Sequence, residues 1–390
     1  MKIALVLAQP PGYSETFFNS KIKGLQENGH EVTLFTSSSQ ETYTLCKHVK
    51  SPKLNRFFLI QIFKMIWIGF LLLSNIRAVS KYFKLEKSKG NSSRRILEKI
   101  YLNAQLLKFK GDWIHFGFAT LALNKEFVAE AIDAKMAVSF RGFDINVYPL
   151  KHPGCYDLLW QQVDKVQSIS QYLLVKANSL GLSKETPSKI ITPAVNIKTL
   201  PKRIVNEVEN KLTIITIARF NWMKGIDYLI EVAAHLKNEG LDFEWQLIGA
   251  GTNSDKEKYL YHIYEKGLDQ HVMLKGKYSH DETLNILATA DIYVQPSVNE
   301  GFCNAVLEAQ ALGIPSVVFK VGGLQENILD TKTGWLIEPF DVVAMAKRII
   351  NITSLTHEEK VKISEQAVSR VQEQFNLNHQ KHAFHIFYTQ

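Results

Sequence analysis

Several things are scarce in this chain of 390 residues, and each scarcity excludes something. Cysteine occurs only as Cys46, Cys155 and Cys303. Three dispersed thiols make neither a disulfide framework nor a cysteine-rich zinc site, and a reducing compartment fits. The Gly-x-Gly-x-x-Gly pattern is missing, which argues against a dinucleotide loop. No apolar run reaches the roughly 20 residues of a spanning helix. The longest, Phe57 to Leu73, has 17 residues and includes Lys64. After Met1-Lys2 only Ile3 to Ala8 is apolar, too short for a secretory signal. Acidic residues are nearly lacking between positions 47 and 110, where 15 Lys and Arg face only Glu86 and Glu98. The net charge is +8, with residues 1–200 at +13 and the remainder at −5. The whole positive excess of the first half therefore lies in 47–110, a block suited to an anionic partner such as a membrane surface.

The length points to two domains, and alternating strand and helix signals make both α/β with parallel sheets. Lys2 to Ala8 reads as a first strand and ends in the turn-rich loop Gln9-Pro10-Pro11-Gly12-Tyr13-Ser14. Phe57 to Leu73 reads either as a helix lying on an anionic bilayer or as one buried in the first domain. Lys84 to Arg95 reads as a mobile basic loop. His115 falls where a short strand is expected to end, and Arg141-Gly142-Phe143-Asp144 follows another strand. A polar stretch from Ala194 to Asn210 is the candidate linker. The expected organisation is a first domain over 1–203, a second over 204–375, and a terminal helix over 376–390 packing back on the first. The aromatics of 47–110 are not interleaved with its basic residues as stacking platforms would be, so no nucleic acid is expected.

In the second half, Leu212 to Ala218 is a strand followed by Arg219-Phe220-Asn221-Trp222-Met223-Lys224-Gly225. Arginine supplies a planar fork for phosphate oxygens and lysine a point charge. A second strand, Phe243 to Ile248, ends at Gly249, and a third is followed by Lys277 and Tyr278. The strand Ala290 to Gln295 leads into Pro296-Ser297-Val298-Asn299-Glu300-Gly301-Phe302-Cys303-Asn304, then a helix carrying Glu308. Helix starts near 225 and 304 add backbone donors for anions. These features together describe a pyrophosphate site. No Asp-x-Asp pair is present to hold a metal for such a ligand, so charge neutralisation by Arg219 and Lys224 is expected, with no metal and no cofactor. A carboxylate suits a ribose diol, and Glu308 is the candidate; Glu300, nearer the loop, would meet the transferred group.

The runs Ala218-Arg219-Phe220…Lys224-Gly225, Gly249-Ala250-Gly251, Glu300-Gly301-Phe302…Glu308-Ala309, Gly313-Ile314-Pro315, Gly322-Gly323 and Thr333-Gly334, in this order and spacing, resemble the family 4 retaining glycosyltransferases. The likeness covers most of 212–341. More loosely, Ser14-Glu15-Thr16-Phe17, His115-Phe116-Gly117 and Arg141-Gly142-Phe143-Asp144 resemble bacterial members acting on exopolysaccharide or lipopolysaccharide precursors. The resemblance implies a GT-B fold, with two Rossmann-like domains facing a central cleft. It implies transfer of a sugar from a nucleotide-diphosphate donor to a glycan or lipid-linked acceptor, with retention of configuration. Arg219 and Lys224 would stabilise the departing diphosphate, and Glu300 would contact the donor sugar. The backbone at Gly301, Phe302, Cys303 and Asn304 would hold its hydroxyls and phosphate. Glu308 would hold the ribose, His115 would stand near the anomeric carbon, and Lys277 and Tyr278 would flank the base, with Gly249 also on the donor side. Gly12, Ser14, Arg141 and Asp144 would serve the acceptor side. Two departures stand out: Arg141 replaces a common histidine, and Pro11-Gly12 replaces a Gly-Gly pair. The enzyme is expected in the cytoplasm, peripheral on the inner face of the cytoplasmic membrane. The alternative is a non-catalytic nucleotide-sugar binding protein that has kept the fold.

Overall fold

The computed structural model describes residues 1–12, 16–37, 43–204 and 211–390. The chain forms two compact units, Met1–Ile191 with Lys381–Gln390, and Thr192–Gln380. The division falls at Ile191, earlier than the expected 203, because the stretch after it is tied into the second unit. Val195 forms a bridge with Asn376, the Ile204 amide donates to the Ala288 carbonyl at 2.9 Å, and Arg203 donates to the Gly313 carbonyl at 2.6 Å. The rest of the expected linker, 205–210, lies outside the described residues.

The first unit carries a parallel sheet of seven strands: β1 (Lys2–Leu7), β2 (Glu31–Thr36), β3 (Lys47–Lys50), β4 (Trp113–Phe116), β5 (Lys135–Phe140), β6 (Lys165–Ser168) and β7 (Ser188–Ile190). Their order is β3-β2-β1-β4-β5-β6-β7. In β1 every residue after Lys2 is buried, as expected of a central parallel strand covered on both faces. The core behind β1 and β2 includes Phe17, Phe18, Ile22 and Leu25 of the helix Thr16–Glu27, and Phe384, Phe387 and Tyr388 of the terminal helix Leu377–Thr389.

The second unit carries β8 (Leu212–Ile217), β9 (Phe243–Ile248), β10 (Val272–Gly276), β11 (Ile292–Gln295), β12 (Ser316–Phe319) and β13 (Trp335–Ile337), ordered β10-β9-β8-β11-β12-β13. All pairs in both sheets are parallel. The helix Ile226–Asn238 buries Ile226, Leu229, Ile230, Ala233 and Leu236, a stripe at three- and four-residue spacing. It packs beside the helix Val342–Thr353. In each sheet the chain starts in the middle, moves outward one way, then crosses back. The strand order therefore reverses between β1 and β4 and again between β8 and β11. At such a reversal the loops at the carboxyl ends diverge and open a crevice for ligands.

Within 47–110 one expectation is corrected and one pair of alternatives is narrowed. Lys84 to Arg95 is not a loop: it closes the helix Ile76–Ser88, turns, and opens the helix Ser93–Leu102 with Ser92 as its cap. Basic composition concealed a buried ion pair, Lys99 Nζ at 2.8 Å from Glu86 Oε2, which pins the two helices. The helix Phe58–Leu71 is not inside the first unit. None of its residues is buried, and Phe58, Phe63, Ile66, Trp67 and Phe70 are 58–72% exposed. Leaving five such side chains in water forgoes on the order of 10 kcal/mol of transfer free energy.

Candidate active site

The loops after β8 and β11 flank the strand reversal of the second unit. The first carries Arg219 and Lys224, the second Glu300. Lys224 Nζ stands 2.5 Å from Glu300 Oε2, and Ser297 Oγ donates to the same oxygen at 3.2 Å. Lys224 and Glu300 are mostly buried, with side chains 17% and 12% exposed. Burial works against the Lys224 charge, but the Glu300 carboxylate outweighs it and holds the ammonium above its ordinary pKa. Arg219 is exposed and forms no ion pair among the described residues, so its guanidinium remains available beside Lys224.

Backbone contacts lock these loops together. The Val298 amide donates to the Met223 carbonyl at 2.9 Å, and Phe220 to Ala250 at 2.9 Å, which ties in Gly249 after β9. Gly225 has φ of +66° and caps the helix Ile226–Asn238, and a Cβ there would lie 1.8 Å from the Pro296 carbonyl oxygen. Gly323 lies as close to the Glu300 loop: its amide donates to the Glu300 carbonyl at 2.9 Å, and an added Cβ would stand 1.9 Å from the Gly301 oxygen. These approaches require glycine.

Gly301, Phe302 and Cys303 are buried, and Asn304 opens the helix Asn304–Ala311 with no side-chain cap. Phe302 packs on Phe375 at 5.7 Å between ring centroids. Burial, with the Glu300 charge, pushes the Cys303 thiol up to about 12, so it stays protonated and is no nucleophile. Glu308 accepts from His280 Nε2 at 2.8 Å through Oε1. Tyr278 packs against the core beneath this loop, while Lys277 is exposed.

Sequence reasoning missed four supporting residues. Ser297 is fully buried and bridges Gln295 to Glu300. Asn327 clamps Cys303, accepting from its amide at 2.9 Å and donating to its carbonyl at 3.0 Å. His280 positions Glu308. Gln295 and Ser297 carried a signal: polar residues at the end of an otherwise apolar strand need buried partners. Asn327 and His280 carried none.

The first-unit candidates fare differently. His115 was expected at a strand end near the reacting carbon. It lies within β4, fully buried, with Nε2 at 2.7 Å from Ser139 Oγ, Nδ1 at 2.5 Å from Tyr388 Oη, and Lys21 Nζ about the ring at 3.1 and 3.2 Å. Burial and the charges of Lys21 and Arg141 hold its pKa well below the ordinary value, which favours the neutral ring. In a parallel strand both faces are covered, so the residue before the loop points into the core. Asp144 is likewise corrected. It is buried, and its carboxylate accepts from the Ala119, Arg141 and Gly142 amides at 2.9–3.0 Å, holding the loop after β5. The Arg141 guanidinium stacks on Phe17 and Phe18 at 3.7 and 4.4 Å. Gly12 is exposed with open space beside it, and Ser14 lies outside the described residues.

Residues 198–370 match the family described as glycosyl transferases group 1. Over 394 residues, 96% of each chain, the protein is 25% identical to the putative colanic acid biosynthesis glycosyltransferase WcaL of Escherichia coli (strain K12). It is 26% identical over 406 residues, again 96% of each chain, to the amylovoran biosynthesis glycosyltransferase AmsK of Erwinia amylovora. Its fold superposes on Anabaena Alr3699/HepE, a structure in complex with UDP, with a TM-score of 0.72 at 15% identity over 99% of both chains. The match to the group 1 glycosyl transferases thus falls on residues 198–370, and the chain as a whole carries the two parallel sheets of a GT-B fold.

Proposed function

We propose that this glycosyltransferase moves a sugar from a nucleotide-diphosphate donor to a glycan or lipid-linked acceptor in bacterial surface-polysaccharide assembly, with retention of configuration and without a metal. The observation that carries the reading is the Lys224–Glu300 pair at the strand reversal, with the exposed Arg219 on the same loop as Lys224. The bond from the anomeric carbon to the diphosphate breaks as the acceptor hydroxyl forms its bond on the same face. The hydroxyl proton passes to the departing diphosphate, and the electron pair stays with the leaving group. Lys224, largely buried and preorganised by its ion pair, and the exposed Arg219 compensate its growing charge. Glu300 sets Lys224 in place and faces the transferred sugar. Glu308, held through one oxygen by His280, keeps the other for a ribose hydroxyl.

The names of the aligned relatives, both exopolysaccharide biosynthesis glycosyltransferases, support the pathway class. The exposed apolar helix Phe58–Leu71 within the basic segment supports peripheral contact with an anionic membrane, on its cytoplasmic face. The test is incubation with a panel of nucleotide sugars and a membrane-derived acceptor, with and without chelator, reading the anomeric configuration of the product by NMR. Chelator-insensitive transfer with retention, strongly slowed in Lys224→Met, is expected. Donor binding without turnover across the panel would instead make the chain a non-catalytic nucleotide-sugar binder, and inversion would refute the stereochemical part.

A further inference from the structure

The first unit contains an open cavity of about 800 Å³ at the amino ends of β1, β4 and β5, the sheet edge opposite its carboxyl-end loops. Its lining includes Lys2, Arg77, Lys81, Lys110, Asp112 and Asp133. The two acids are already engaged: Asp133 pairs with Lys81 at 2.7 Å, and Asp112 accepts from the Lys2 amide at 2.7 Å. Arg77 and Lys110 are exposed and make no ion pair or side-chain hydrogen bond among the described residues. The cavity is therefore a basic socket with two uncommitted cations.

The socket adjoins the break after the exposed apolar helix. The helices Phe58–Leu71 and Leu73–Ser88 meet at 53°, and the cavity is lined by Ser74 to Ala78 at that bend. Only Gln61, Met65 and Ile68 on one face of the apolar helix are half-buried, apart from which its circumference is open. Among the described residues no single helix is long and apolar enough to cross a membrane. At 1.5 Å per residue the 14 residues span about 21 Å against roughly 30 Å of hydrocarbon. The charges flanking it favour a bilayer over a second copy of the chain. Of the two acids in 47–110, Glu86 is buried against Lys99, so two copies would oppose nearly uncompensated positive faces.

We infer that the apolar helix embeds in one leaflet and that the socket at its bend, through Arg77 and Lys110, takes the headgroup phosphate of an anionic phospholipid. This rests on the membrane contact proposed above and not on the sugar-transfer chemistry. A lysine or arginine is attracted to an anionic surface, and a phosphate gripped directly by two cations adds charge-assisted hydrogen bonds to that.

The test is co-sedimentation of the full chain with phosphatidylcholine vesicles containing or lacking phosphatidylglycerol. Wild type should bind the anionic vesicles and resist competition by soluble glycerol 3-phosphate, which lacks the acyl chains. Arg77→Gln with Lys110→Gln should weaken this binding by on the order of tenfold more than Lys84→Gln with Lys87→Gln. The control pair removes the same charge from exposed positions outside the cavity. Thermal melting checks that both variants fold. Equal losses in the two pairs would overturn the socket and leave a diffuse membrane contact. Displacement by glycerol 3-phosphate would overturn the lipid as the ligand. No vesicle binding by wild type, or self-association in its place, would overturn the membrane contact together with the socket. None of these outcomes bears on donor turnover.

Discussion

Replacing Gly323 with alanine isolates one close approach in the site. Gly323 has φ of −71°, a conformation open to any residue, so the penalty is steric alone. The new methyl would sit 1.9 Å from the Gly301 carbonyl oxygen and 2.6 Å from its carbon. An unbonded carbon and carbonyl oxygen settle at about 3.3 Å, so the two loops must part by roughly 1.4 Å. That separation breaks the 2.9 Å hydrogen bond from the Gly323 amide to the Glu300 carbonyl and carries Glu300 away from Lys224. Overpacking of this kind costs about 1–3 kcal/mol, or roughly 2–12 °C in the melting temperature of a unit this size. Misplacing a positioned group by about 1 Å can cost on the order of 100-fold in rate. The assay is donor hydrolysis and sugar transfer beside calorimetry, with Gly69→Ala as the control. Gly69 has no neighbour within 4 Å of an added Cβ, so that variant should turn over like wild type. Gly323→Ala with wild-type turnover and melting would refute the claim that this contact sets the site.

Three further outcomes are expected. Lys224→Met should lower turnover by about 10²–10³ and destabilise the second unit by about 3–5 kcal/mol by stranding the buried Glu300. Adding Glu300→Gln should restore the melting temperature but not turnover, which calorimetry and a donor assay separate. At His280, the hydrogen bond to Glu308 raises the folded pKa above its ordinary value, so the pair's stabilisation is complete below about pH 6.5 and fades as pH rises through the folded value. His280→Gln should therefore lower melting most near pH 6 and little near pH 9, by no more than about 1 kcal/mol for a pair whose histidine is exposed. Lys21 runs the other way. Burial, then the Arg141 charge, lowers its folded pKa, so between that value and about 10.4 the unfolded chain holds a proton that the folded chain lacks. Wild-type stability thus rises with pH across that window. Lys21→Met, without this titration, should melt above wild type at pH 7, with the gap closing toward pH 10.

Much of the site was readable because its parts are local. Arg219, Lys224 and Gly225 share one loop, and Glu300 to Glu308 share another. Each follows an apolar strand; Pro296 marks the end of β11, and Gly225 closes the loop after β8. The first unit was less legible. In β4 the covering of both faces removes the alternation that would have said which way His115 points. In the stretch from Lys84 to Arg95 a high density of lysine and arginine obscured the helical period and the single buried carboxylate that organises it. Asp144 looked available because its partners are backbone amides, which leave no mark on residue identity.

By itself the sequence determined most of the strands and helices, though not those around Lys84 to Arg95, together with the two α/β units and the residue types able to hold a diphosphate. These follow from periodicity, turn chemistry and charge, which act over a few residues. Tertiary structure alone decided that Lys224 meets Glu300 across 76 positions, because that contact depends on β8 and β11 being neighbours in the sheet. It also decided that His115 is sealed under Tyr388, 273 positions away, and that the helix Phe58–Leu71 stays uncovered. Strand order and helix docking are settled by how whole apolar faces share one core, a competition among distant segments that leaves no mark in any short stretch of sequence.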